Sequence, residues 1–262
     1  MQRALLASML AVVVTAVVGT WVVLRGLSFL GDALAHGVLP GVALAWSLGI
    51  SPSIGALVAA VVMVGGIRVV KERTTLPEDT SIGILFVGFL ALAVVIMSAR
   101  SGSYGADLNG FLFGSVLGVD GGDLLRQACA AAIAVIGVTA LHRPLLVSTF
   151  DPIQAEILGL RPGLTHSLFL VLMAVAVVAS FETVGSLLVF AFLIAPPATA
   201  SLLVRRVPSM MALALLLGSV SAIMGLLVSY HHGTAAGATM ALSSVLIFVG
   251  VLAVRSLGTV RS

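Results

Sequence analysis

The chain has one cysteine, Cys129, set in an apolar run. That excludes an intrachain disulfide, a CxxC redox pair and a thiolate metal cluster. Lysine is as scarce: of 13 basic residues only Lys71 is not arginine, and it stands between Val70 and Glu72. A phosphate loop of the GxxxxGK[ST] type needs a lysine followed by Ser or Thr, so the chain has no P-loop ATPase site of its own. Charge as a whole is short, 9% of residues against 60% hydrophobic, a balance that does not describe a water-soluble surface. The net charge of +3 comes from few, scattered groups and gives no reason to expect nucleic-acid binding.

What the chain has is continuous apolar sequence. A hydrocarbon layer about 30 Å thick takes about 20 apolar residues per helix, whereas barrel strands would alternate apolar and polar positions. Nine stretches qualify: Ala4–Leu24, Gly26–Leu48, Ile54–Val70, Ile82–Ala99, Leu124–Leu141, Leu164–Ser180, Val184–Val204, Met210–Ser229 and Ala235–Val254. Little more than Arg25 separates the second from the first, and only Phe181-Glu182-Thr183 separates the seventh from the sixth. The expected fold class is therefore all-α: one polytopic integral membrane domain over residues 1–262, with eight to nine transmembrane helices embedded in lipid. The first run is longer than a signal-peptide core, and no A-x-A-like cleavage site follows it.

Alternating the crossings gathers Arg25, Arg68, Lys71, Arg73, Arg143, Arg161, Arg205, Arg206, Arg255 and Arg261 on one side and leaves Arg3, Arg100 and Arg126 on the other. The richer side is expected to be cytoplasmic, with the N-terminus outside and the C-terminus inside. Segment 101–123, with Asp107, Asp120 and Asp123, then lies outside. No water-exposed stretch is long enough for a soluble catalytic domain.

Nine of the ten acidic residues fall in loops or at span ends, and Asp32 is the exception. An ionised group at membrane depth costs several kcal/mol unless partnered. His36 follows at i+4, on the same helix face. A carboxylate oxygen and an imidazole nitrogen one turn apart make half of a divalent-cation site of the mixed kind that suits zinc or manganese. Pro40 has no N–H for the carbonyl of His36, which leaves a free acceptor beside the two ligands. Such an acceptor is tolerated only against protein or a water-filled cavity. Gly37 and Gly41 would let a neighbouring backbone approach. Two ligands do not fill a coordination sphere, so the metal reading needs water, backbone or a second copy about a two-fold axis. The alternative is a structural Asp32–His36 pair that holds two helices together.

Between the fifth and sixth stretches, FDPIQAEILGLRP places Asp151, Pro152 and Gln154 at the N-cap, N1 and N3 positions of a capping-box-like start. Gly159 fits the C′ position, and Pro162 stops any continuation. The spacing predicts a helix of about two turns within 150–160, with Ile153 and Ile157 on one face and Gln154 and Glu156 at its border. A helix this short is marginal in water, so it either docks on a partner or lies as an interfacial turn.

These residues resemble the permease subunits of bacterial ATP-binding-cassette importers for zinc, manganese and iron. The likeness rests on RGLSFLGDALAHGVLPGVALA, Arg25 to Ala45, and on VGSLLVFAFLIAPPATASLL, Val184 to Leu203, where Pro196-Pro197 stands in place of a single proline. Weaker likenesses occur at Thr80–Phe86, Leu112–Val119, Thr149–Leu160 and Gly233–Leu242. The resemblance implies a multi-pass protein of the bacterial cytoplasmic (inner) membrane, without enzymatic activity of its own. It implies a homodimer seated on two separate ATPase subunits, which bind the ATP, and fed by an extracytoplasmic metal-binding lipoprotein. No cofactor is expected on the chain itself; the divalent metal is cargo. Asp32 and His36 would line its path, and Asp151, Gln154, Glu156 and Ile157 would belong to the cytoplasmic coupling helix.

The rival reading is an ion- or proton-coupled secondary transporter with Asp32 and His36 as a proton relay. An intramembrane enzyme is disfavoured, since no HExxH is present and no second acid or His lies in a span to serve as base. His231 and His232, in the last outer turn, are either a metal relay or incidental, and Glu182 is either a lipoprotein contact or an ordinary loop charge. His142 and His166 read as interfacial residues without a role.

Overall fold

The computed structural model describes residues 2–99 and 118–259, apart from the side chains at 182, 258 and 259. Among the described residues there are helices and no strand, the form in which a backbone can satisfy itself within hydrocarbon. Nine spans are long and apolar enough to cross a membrane, and the nine expected stretches each fall on one. They are α1 (Gln2–Leu24), the pair α2 (Ser28–Gly37) and α3 (Leu39–Ser47), α4 (Pro52–Arg73), α5 (Glu78–Ser98), α6 (Gly121–Ala140), α9 (Pro162–Val184), α10 (Ser186–Leu203), α11 (Val207–His232) and α12 (Ala236–Thr259). Between α6 and α9 lie two short helices, α7 (His142–Phe150) and α8 (Pro152–Ile157).

Glycine and proline punctuate the chain. Gly26, Gly49, Gly185 and Gly233 stand at positive φ where helices end, and Pro opens α4, α8, α9 and α11, where its missing N–H costs nothing. The sixth and seventh spans do not divide at Phe181-Glu182-Thr183 as expected. Helix α9 runs through to Val184, and the break comes at Gly185, φ 86°. The fifth span starts earlier than Leu124, because Asp120 and Asp123 form a reciprocal capping box: Asp120 Oδ1 accepts from the Asp123 N–H at 2.7 Å, and Asp123 Oδ2 from the Asp120 N–H at 3.1 Å. Asp107, and the likeness at 112–119 apart from its last two positions, lie outside the described residues.

Helix α1 is the centre. It packs on α6, α9, α10 and α11, with Ala4, Ala7, Ala11, Val14, Val18 and Trp21 buried. Helix α5 lies at the periphery against α2, α3 and α4. Two contacts need glycine. Pro197, inside α10, has no N–H for the carbonyl of Leu193, and Gly19 of α1 lies so close to that carbonyl oxygen that a Cβ would overlap it. Likewise Gly41 of α3 and Gly55 of α4 each face the other's carbonyl, with Ala45 and Ala59 beside them, as in close crossings of small residues. Buried hydroxyls turn back onto their own helices: Ser8 donates to Ala4 O, Thr15 to Ala11 O and Thr20 to Ala16 O, as expected for residues without a catalytic partner.

A branched side chain at the α3–α4 crossing meets backbone, not a flexible neighbour. Gly41→Val is expected to destabilise the protein by at least about 2 kcal/mol and to lower its melting temperature in detergent. Gly65→Ala, where a Cβ meets nothing within 4 Å, should leave that temperature unchanged or slightly raise it.

Candidate functional site

The second span, Ser28–Ser47, is one crossing in two helical pieces. Its hydrogen-bond ladder is interrupted at Val38, which keeps helical angles of φ −81° and ψ −15°, two residues before Pro40, where the ring denies His36 O its donor. On α2 only Ser28, Phe29, Asp32 and His36 escape full burial; they fall on one face, and the remaining residues face α4, α5, α9 and α10. Asp32 Oδ1 and His36 Nε2 lie 3.4 Å apart with about 31% and 25% of their side chains exposed. The one acid at membrane depth therefore stands on an open stripe rather than in a sealed interhelical joint. Phe86 of α5 borders it, 5.8 Å edge-to-face from Phe29 and 6.2 Å from the His36 ring. Gly37 lies against Met63 and Gly41 against Gly55, so both expected close approaches are to α4. Among the described residues no three His, Cys, Asp or Glu side chains converge; at this stripe one copy presents Asp32 and His36.

At one end of α2 lies a polar network that sequence reasoning missed. Helix α1 ends in a Schellman turn, with Gly26 at φ 68° and the Leu27 N–H donating to Val22 O at 2.9 Å. The glycine after Arg25 is there for that turn, which aims Arg25 inward. Arg25 donates from Nε to Thr149 Oγ1 at 2.9 Å and from Nη2 to Ser148 Oγ at 2.7 Å, both at the end of α7. Its Nη1 lies 3.2 Å from His166 Nδ1 on α9, and its guanidinium carbon 5.6 Å from the centre of the Phe169 ring. His166 Nε2 lies 2.7 Å from Glu78 Oε1, and Lys71 Nζ is 2.6 Å from Glu78 Oε2. Burial lowers the Arg25 pKa and nearby Glu78 offsets part of that. These groups line a cleft of about 490 Å³. His166, expected to be merely interfacial, is its middle link. Its only sequence signal was an ionisable residue near a span end, and its partners Arg25 and Glu78 lie on distant parts of the chain.

The stretch 142–162 is not one loop. Helix α7 was unforeseen because nine residues with a proline near the start leave no spanning signal. It feeds directly into α8, where Asp151 Oδ1 accepts from the Gln154 N–H at 2.8 Å. The expected capping box is only half made, since the Asp151 N–H already donates to Val147 O at 2.8 Å. Gly159, φ 71°, closes the helix, with the Leu160 N–H on Ala155 O. Of α8 only Ala155 is buried; Ile153 and Ile157 are 72% and 80% exposed, Gln154 and Glu156 also face outward, and Phe150 and Leu158 extend the patch. His231 and His232 end α11, both exposed; His231 Nδ1 is 2.9 Å from Leu227 O, and neither joins Asp32 or His36. His142 packs edge-on to Trp21.

Among the described residues, nine helices long and apolar enough to cross a membrane define a class: a multi-pass membrane protein. Comparison with known proteins gives the family. The sequence profile of the ABC 3 transport family matches residues 1–255, and the chain belongs to that family; it is a permease subunit of the inner membrane, as its resemblance implied. It is similar to the manganese transport system membrane protein MntC of Listeria monocytogenes, 39% identical over 248 residues, covering 95% of this chain and 88% of the relative. It is also similar to the chelated iron transport system membrane protein YfeD of Yersinia pestis, 35% identical over 252 residues, covering 96% and 84%. Among solved structures, PsaBC from Streptococcus pneumoniae in complex with Fab matches with a TM-score of 0.84 at 33% identity, covering 95% of this chain and 90% of that one.

Helix α8 has little beyond its caps to hold its shape. Asp151→Ala removes the side-chain cap at a cost of about 1 kcal/mol, so amide hydrogens at 154–157 should exchange about fivefold faster, while those of α9 stay unchanged.

Proposed function

We propose that this chain is the membrane-spanning subunit of an importer for divalent first-row metal ions, manganese, zinc or iron, and that Asp32 and His36 line the ion's path. The observation that carries the reading is the open stripe on α2. Two ligand atoms about 2.1 Å from a common ion at a tetrahedral angle stand about 3.4 Å apart, and Asp32 Oδ1 and His36 Nε2 are separated by 3.4 Å. A second copy meeting the first across this face would complete the site with two carboxylates and two imidazoles. The same association would remove a half-exposed carboxylate from lipid. The names of the relatives, manganese and iron transport proteins, support the cargo class; Asp with His accommodates several first-row ions.

Energy would come from separate ATPase subunits, since no phosphate loop exists in this sequence. The apolar patch of Phe150, Ile153, Ile157 and Leu158, edged by Gln154 and Glu156, is the kind of surface a partner protein covers. The excess of Lys and Arg at this end makes it cytoplasmic, with α8 as the coupling helix. The opposite end, where His231 and His232 are exposed, then faces a metal-binding lipoprotein. Membership in the ABC 3 transport family speaks against the ion-coupled secondary transporter.

In proteoliposomes containing the assembled transporter, Asp32→Asn and His36→Ala should each cut manganese uptake by at least about tenfold, with insertion and assembly intact. Wild-type uptake in both would refute the path. The two-fold arrangement has its own check: His36→Cys, in a Cys129→Ala background, should cross-link copy to copy, and absence of the cross-link would place the stripes on outer surfaces.

A further inference from the structure

We infer that Arg25 is the transmission residue between α8 and the ion-bearing helix α2, carrying movement of the ATPase-facing end into the position of Asp32 and His36. The inference rests on the proposed roles of α8 and of the α2 pair. On one side of Arg25 there is no slack toward α8: Ser148 and Thr149 close α7, the Asp151 N–H donates to Val147 O at 2.8 Å, and the Ala155 N–H to Asp151 O at 3.1 Å. A displacement of α8 therefore moves the two hydroxyls with it. Their orientation is fixed as well, because Ser148 and Thr149 donate their own hydrogens to Leu145 O, at 3.3 and 2.6 Å, which leaves the lone pairs to accept from Arg25.

Toward α2 the linkage is just as short. Only Gly26 and Leu27 intervene, and both are tied down: the Gly26 N–H donates to Val23 O at 3.2 Å, the Leu27 N–H to Val22 O at 2.9 Å, and the Leu30 N–H to Leu27 O at 3.0 Å. Arg25 thus grips the base of the helix whose next turns carry Asp32 and His36. A third arm steadies it. The guanidinium has donors only, so His166 Nδ1 accepts and its proton sits on Nε2, facing Glu78.

The chemistry of the grip distinguishes a joint from a lock. Among the described residues no carboxylate touches Arg25; its direct polar partners are two hydroxyls and the acceptor nitrogen of an imidazole. Such bonds break and re-form more readily than a buried bidentate ion pair, whose separation strands two charges. The cleft beside them, bounded by Leu27, Ile67 and Gly163, leaves room for movement.

The test uses the full transporter with its ATPase subunits in proteoliposomes and reads manganese ions taken up per ATP hydrolysed. Ser148→Ala combined with Thr149→Val deletes the grip while keeping Arg25, and Arg25→Gln deletes it from the other side. Both should keep ATP hydrolysis within about twofold while uptake per ATP falls about tenfold, within the usual span of coupling between sites. The ATP-dependent change in accessibility of a cysteine at position 36 should vanish as well. A residue that merely holds the fold together would lower hydrolysis and uptake in step and leave their ratio unchanged, and that result overturns the proposal. If Arg25→Gln does not assemble, the hydroxyl variant decides. Ile157→Asp separates the two readings: uncoupling there, with normal coupling in the hydroxyl variant, refutes the Arg25 link alone. Normal coupling in both refutes the role of α8 as well.

Discussion

Hydrocarbon offers a backbone nothing to bond with, so each span must close its own hydrogen bonds, and every departure from a continuous helix becomes visible as a residue that permits it. Among the described residues such departures include Gly26, Val38, Gly49, Gly185, Gly233 and the prolines of α10. The polar chemistry gathers beside the first two. Gly26 aims Arg25 into the cleft between α4, α5, α7 and α9. The interruption at Val38 lies two residues beyond His36, so Asp32 and His36 stand on a helix of ten residues packed against α5, α9 and α10.

The two polar groupings differ in electrostatic character. On α2 the carboxylate and imidazole have each other and an open face, a pair that is incomplete within one copy. Around Arg25 the charges are arranged so that each has company: Glu78 stands between Lys71 and His166, and Arg25 rests on hydroxyls and an aromatic face. The first grouping is open to a cation and the second is closed to one, since the Lys71 ammonium and the His166 ring already occupy its carboxylate.

Most of the fold was legible because hydrophobic length is a local property. The nine stretches, the α8 caps at Asp151 and Gly159, and the singular position of Asp32 all depend on residues near one another in the chain. The misses have equally physical causes. Helix α7 is too short for hydropathy to register. The boundary at Gly185 was misplaced because Glu182 draws attention as a charge, whereas chain conformation obeys the residue that tolerates positive φ. The capping box at α8 failed by half because the preceding helix had already taken the Asp151 N–H, a fact that required α7. The Arg25–His166–Glu78 network joins residues from four separate parts of the chain, and only folding reveals it.

The meeting of Gly19 with the Leu193 carbonyl fixes more than a distance. That oxygen lacks its usual donor because Pro197 stands one turn on, and the notch that receives it is the missing Cβ of Gly19. Along the contact face the neighbours of Gly19 one turn away are Thr15, Ala16, Val22 and Val23, each with a Cβ that the Leu193 carbonyl would meet, so α1 and α10 share one register. A single absent methyl group thus sets how the central helix is seated against its neighbour.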